Sequence, residues 1–120
     1  MKDYILGMVE RQFADLIWEN EPVSSRELVT LAGELLSWKK STTYTILRRL
    51  AERGLFRNEN GTVTSCISRE EFLARQSRHY VQDSFDGSLP RFLAAFTAQE
   101  KLSADDVAAL QQMIDQSKGD

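Results

Sequence analysis

The sequence predicts a mainly α fold with one small β-hairpin, ordered as three short helices, the hairpin and three further helices over 120 residues. Three observations carry that reading. Apolar residues recur at three- and four-residue intervals through most of the chain, the spacing of helices with one buried face. Asn60-Gly61 stands between two short β-prone runs, the strongest short-range hairpin signal. Ser24, Ser68 and Ser103 each precede an acidic residue three positions later, an arrangement that satisfies free amides at a helix start.

In the first helix Met8, Val9, Phe13, Leu16 and Ile17 form the apolar face, and the pattern ends near Asn20 before Glu21-Pro22. Ser24 and Glu27 open a second helix from about Ser25 to Leu35. Leu28, Val29, Leu31, Ala32 and Leu35 form its stripe, and Gly33 sits near its end. After Trp38-Lys39-Lys40, the pair Ser41-Thr42 is the expected cap of a third helix. That helix runs to Arg53 and is closed by Gly54, where a left-handed residue is favoured. Thr43, Ile46, Leu47 and Leu50 fall on its inner face, while Thr42, Tyr44, Thr45, Arg48, Arg49 and Glu52 fall elsewhere, mostly toward solvent.

Leu55-Phe56-Arg57 and Thr62 to Ile67 supply the hairpin, with Val63 and either Cys66 or Ile67 facing inward. Cys66 is expected to pack within the strand. Ser68 then opens a long helix through Phe85, and Asp86-Gly87-Ser88-Leu89-Pro90 breaks it. Ser88 caps a helix from Leu89 to Thr97, and Ser103 a last helix bearing Val107, Leu110, Met113 and Ile114, with a frayed tail after Gln116.

Three short helices with a tight connection between the second and third make a helix-turn-helix, and a hairpin directly after it makes a wing. The expected architecture is therefore an N-terminal winged helix-turn-helix over residues 1–67 and a C-terminal three-helix dimerisation region over residues 68–120. The latter carries more apolar side chains than so small a bundle can bury, and a second copy would cover them. The residues expected at that homodimer contact are Phe72, Tyr80, Phe85, Leu89, Phe92, Leu93, Phe96, Leu102, Val107, Leu110, Met113 and Ile114.

A net charge of −3 conceals a block. Residues 37–58 carry Lys39, Lys40, Arg48, Arg49, Arg53 and Arg57 against Glu52 alone, between flanks that are each net −4. This basic block coincides with the third helix, whose outer face is rich in hydroxyls. Lys39, Lys40, Ser41, Thr42, Tyr44, Thr45, Arg48 and Arg49 are therefore the expected contacts to double-stranded DNA in a major groove about 12 Å wide. Hydroxyls near a helix start can hold phosphates or base edges, Arg48 or Arg49 can pair with phosphate or guanine, and Tyr44 suits a sugar or a thymine methyl.

Other classes of function find little support. No apolar run approaches the roughly 18 residues of a membrane span, so membrane insertion is not expected. The segment from Met1 to Met8 gives way to Glu10-Arg11-Gln12 without a signal-peptide core, which places the chain in the cytoplasm. Cys66 is the single cysteine and cannot form an internal disulfide; it has no zinc-site spacing, and neither a metal nor a cofactor is expected. His79, Cys66 and scattered carboxylates form no catalytic constellation, so an enzyme is not expected. The competing reading is a winged-helix protein-interaction module, or a ligand-sensing regulator.

Four stretches together resemble the penicillinase repressor family of BlaI and MecI type. They are Glu10 to Trp18, the run from Ser41 to Leu55, the turn Phe85-Asp86-Gly87-Ser88-Leu89, and Glu100-Lys101-Leu102-Ser103. The resemblance implies a winged-helix homodimer that binds a palindromic operator and blocks transcription, often of β-lactam resistance genes. It also implies release when a membrane sensor with a cytoplasmic metalloprotease domain causes cleavage in the C-terminal region. By position it puts Ser41, Thr42, Tyr44, Thr45 and Arg49 on the DNA side. The family's usual Asn-Phe junction corresponds here to Ala95-Phe96. Thr43 stands where the family is usually aliphatic, the wing lacks the family's aromatics and bears Glu59 at its tip, and the C-terminal cysteine pair of a copper-responsive branch is missing.

Overall fold

Residues 6–118 are described by the computed structural model. In order the elements are α1 (Met8–Asn20), β1 (Val23–Ser24), α2 (Ser25–Leu36), α3 (Lys40–Glu52), β2 (Phe56–Glu59), β3 (Thr62–Ser65), α4 (Arg69–Phe85), α5 (Leu89–Thr97) and α6 (Ala104–Ser117). The mainly α fold with a hairpin wing is thus the one the sequence predicts. The segments Met1 to Ile5 and Gly119-Asp120, which include part of the expected leaderless start and of the frayed tail, lie outside the described residues.

Two compact units divide the chain, one ending at His79 and the other beginning at Tyr80. The first is built on α1, α2 and α3. Phe13, Ala14, Leu16 and Ile17 of α1, Leu28 and Ala32 of α2, and Leu47 and Leu50 of α3 bury their side chains together with Val23, Leu55, Phe56, Val63, Ile67 and Phe72. Trp18 stacks between Phe56 at 5.2 Å and Phe72 at 5.5 Å between ring centroids, and donates its indole N–H to Ile67 O at 3.0 Å. A buried indole N–H needs such a partner. Trp38 packs on Phe13 at 5.1 Å.

The wing closes as expected. Asn60 and Gly61 both have positive φ, 55° and 90°, the pairing that suits the right-handed twist of two short strands. Asn58 Oδ1 accepts the Gly61 N–H at 3.0 Å. A third strand, β1, is not foreseen in the sequence. It pairs with β3 through Val23↔Val63 and Ser24↔Thr62, giving the antiparallel order β1-β3-β2.

Several local expectations are corrected. Ser41 and Thr42 do not cap α3. Lys39 is the N-cap, extended at φ −75° and ψ 157° and without a side-chain cap, and the helix already includes Lys40. The start is set from outside the helix: Ser37 turns left-handed, Trp38 N–H bonds Ala32 O at 3.2 Å, and Trp38 is anchored on Phe13, so the chain is already aimed into α3 at Lys40. Ser37 takes the C-cap of α2, with Gly33 near the helix end as expected. Leu35, placed on the buried stripe, is 62% exposed. Cys66 is exposed and lies one residue past the end of β3, while Ile67 turns inward. Phe72, expected at a homodimer contact, has no accessible surface and belongs to the core of the first unit, so it cannot touch a second chain.

The first turns of α4 pack with this unit as well. Arg69 reaches Asp15 Oδ1 at 3.2 Å, Asp15 O at 3.3 Å and Glu19 Oε2 at 3.4 Å, with its guanidinium over the Trp18 ring.

The second unit holds the end of α4 with α5 and α6. Ser88 Oγ accepts Arg91 N–H at 3.1 Å and Ser103 Oγ accepts Asp106 N–H at 3.0 Å, so both predicted caps form. Tyr80, Phe85, Phe92 and Phe96 make a chain of ring contacts between 5.6 and 6.2 Å. No side chain of α5 or α6 is fully buried.

Candidate nucleic-acid interface

Helix α3 divides as its apolar periodicity demands. Thr43, Leu47 and Leu50 are buried and Ile46 packs against the core, which anchors one face. Thr43 has no accessible surface, and its hydroxyl donates to Lys39 O at 3.2 Å, so a polar atom in an apolar face carries no unmet hydrogen bond. The opposite face is open. Lys39, Lys40, Ser41, Thr42, Arg48 and Arg49 are exposed, and Tyr44 and Thr45 are half-buried.

The ion pairs sort the basic block further. Arg53 is committed to Glu10 at 3.8 Å. Among the described residues Lys39, Lys40, Arg48 and Arg49 form no ion pair, and neither arginine bridges to Glu52. Charged side chains left in solvent are available to an anionic partner without first losing an internal one. Arg26, in the first turn of α2, and Arg57, on β2, are also exposed and without an ion pair among the described residues. Arg57 stands in the basic block of the sequence; Arg26 stands in an acidic flank and has no local signal, because only the fold brings α2 beside α3.

Tyr44 is placed differently from the other members of the expected set. Its hydroxyl lies 3.5 Å from Ser25 Oγ, and Ser25 N–H donates to Gly61 O at 2.8 Å. The beginning of α2, the turn of the wing and the middle of α3 therefore meet at Ser25.

The residues expected at a homodimer contact, Phe72 aside, lie in the second unit. Leu89, Phe96, Val107, Met113 and Ile114 are each more than half exposed. With Leu93, Leu102 and Leu110 they line apolar grooves along α5 and α6, the larger of about 640 Å³. Ala95 and Phe96, the expected junction, sit on α5 with their side chains exposed. Among the described residues no helix is long and apolar enough to cross a membrane, and no cluster of three or more His, Cys, Asp or Glu could hold a metal ion.

Comparison with known proteins agrees with this geometry. The family model described as penicillinase repressor matches residues 6–116. The penicillinase repressor of Bacillus licheniformis is 22% identical over 113 residues, covering 91% of this chain and 88% of that protein. The methicillin resistance regulatory protein MecI of Staphylococcus aureus is 20% identical over 117 residues, covering 94% and 95%. An uncharacterized 16.5 kDa protein of Latilactobacillus sakei is 25% identical over 103 residues, covering 82% and 70%. A match that runs from α1 through α3 and the wing into α6 is a match to a whole architecture. The chain belongs to the penicillinase repressor family and is a transcriptional repressor of the BlaI and MecI type, a DNA-binding regulator and not an enzyme.

Proposed function

We propose that the chain represses transcription as a cytoplasmic homodimer seated on a palindromic operator, with one α3 in each half-site. Lys39, Lys40, Arg48 and Arg49, exposed and without an ion pair among the described residues, carry the reading, because they concentrate positive charge around a helix whose outer face is also rich in hydroxyls. Lys39 and Lys40 stand at the helix start with Ser41 and Thr42 and suit phosphates; Thr45, Arg48 and Arg49 lie further along and suit base edges or the far backbone. The apolar grooves of α5 and α6 support self-association, since a second copy presenting the same surface would cover both.

Relief follows, in this reading, from cleavage at Ala95-Phe96 by a membrane sensor metalloprotease. The regulated genes are those of β-lactam resistance or of a related sensor-linked operon. Cutting α5 would divide the surface that holds two chains together, and each freed winged unit would face its half-site alone.

The experiment is retention of duplex DNA by the full chain. Duplexes selected from a random pool should converge on a palindrome, and affinity should fall steeply as salt rises, because neutralised phosphates release counterions. Selection yielding no preferred sequence, or salt-insensitive capture of protein with no DNA retained, would sink the reading.

A further inference from the structure

Ser25 and Thr43 are the two buried polar side chains among the described residues. Thr43 serves its own helix, but Ser25 serves three elements. It begins α2, its N–H donates to the carbonyl of the wing turn at Gly61, and its Oγ faces the Tyr44 hydroxyl of α3 at 3.5 Å. That separation is longer than an ordinary O–H···O bond, so the contact aligns the two groups more than it binds them. Gly61 holds φ +90°, which a side chain rarely tolerates, and a Cβ there would stand 3.9 Å from Ser25 Oγ.

We propose that Tyr44 is a positioning residue: through Ser25 it registers α3 against the start of α2 and the turn of the wing, and it reads no base. This rests on the operator-binding reading above. In a helix-turn-helix the first helix crosses the phosphate backbone while the second enters the groove. The start of α2 carries Arg26, exposed and without an ion pair among the described residues. The angle between α2 and α3 therefore decides whether phosphate contacts from α2 and base contacts from α3 are made together. Loosening the joint costs contacts to phosphate, which are blind to sequence.

The test uses the full chain and a palindromic duplex selected with it, and compares Tyr44→Phe, Ser25→Ala and the double variant. Each single change should weaken binding about threefold, because the joint loses alignment rather than a full hydrogen bond. The double variant should bind no worse than the weaker single one, base preference should be retained at every position, and the dependence on salt should become shallower. Equal loss from Tyr44→Phe in the native and Ser25→Ala backgrounds, or relaxed preference at one base pair, would overturn the proposal and make Tyr44 a direct reader. Tyr44→Phe keeps the ring, so its base preference and salt dependence decide the matter even where Ser25→Ala lowers stability. Failure of the unaltered chain to retain any duplex would instead count against operator binding itself.

Discussion

The carboxylate of Glu21 accepts both the backbone N–H of Ser65, at 2.7 Å, and its hydroxyl, at 2.8 Å. β1 is only two residues long and pairs with β3 at Val63 and Thr62, so the ladder stops before it reaches Ser65. The Glu21 side chain continues it. The wing is thus held at its base by a carboxylate and at its tip by Ser25 N–H on Gly61 O. Glu21→Ala leaves the Ser65 amide without its partner in a half-buried site. It should cost about 1–2 kcal/mol, the penalty of a lost charge-assisted hydrogen bond that water partly replaces. Urea unfolding followed by the fluorescence of Trp18 and Trp38 checks it, and an unchanged midpoint would show that the clamp contributes nothing.

How much of this was legible in the sequence depended on whether the cause lay nearby. The caps at Ser24, Ser68, Ser88 and Ser103 were readable because each hydroxyl accepts an amide only three residues ahead. The start of α3 was not, since Trp38 packing on Phe13 places it, and Ser41-Thr42 then fall inside the first turn. β1 was invisible for the same reason: two residues carry no periodicity, and the partner of Val23 is Val63, far along the chain. The inner and outer faces of α3 were legible from spacing alone, but Tyr44 beside Ser25 joins two helices and has no local signature. Phe72 shows the limit of apolar counting, which marks a side chain as buried without saying in which core.

Phe72 is packed on Trp18 with no exposed surface, whereas Phe96 on α5 is 60% exposed. Phe72→Ala should therefore destabilise the winged unit by about 3–4 kcal/mol, the loss of transfer energy plus an unfilled cavity. Phe96→Ala should leave the unfolding of that unit unchanged. Chemical denaturation of both variants, read by the fluorescence of Trp18 and Trp38, makes the comparison. Equal effects would mean that Phe72 is not a core residue of the first unit.

Met113 and Ile114 expose more than half their surface on α6, on a face with no fully buried side chain. Met113→Glu would place a charge in any contact made by that face, where desolvating it without a partner is costly. Sedimentation should show dimers of the unaltered chain at micromolar concentration and single chains of the variant, with helix content retained. Operator affinity should drop with it, because two half-sites would no longer be bound by one particle. A stable monomer of the unaltered chain would remove dimerisation from the scheme.

Ala95 and Phe96 lie within α5, where Ser88 caps the first turn and Thr97 Oγ1 bonds Leu93 O at 2.7 Å near the last. A protease binds an extended segment, so the proposed cleavage would require local opening of this helix. In cells carrying the cognate sensor, a β-lactam should produce a fragment ending near Ala95, detectable by mass spectrometry. Intact chain under full derepression would require another mode of release.

Arg49 is exposed in the last turn of α3 and has no ion pair among the described residues, so its removal breaks no ion pair among them. If it meets the operator, Arg49→Ala should weaken binding without lowering the unfolding midpoint, and the form of the loss identifies the contact. A phosphate contact weakens all duplexes alike and reduces the slope of log affinity against log salt by about 1. A bidentate contact to guanine costs about 1–3 kcal/mol at one base pair and relaxes preference there. Arg91→Ala, exposed in the second unit and paired with Asp86, is the matched control and should change neither. An Arg49 variant that binds every duplex as the unaltered chain does would move the recognition surface off this part of α3, toward Lys39 and Lys40 at its start.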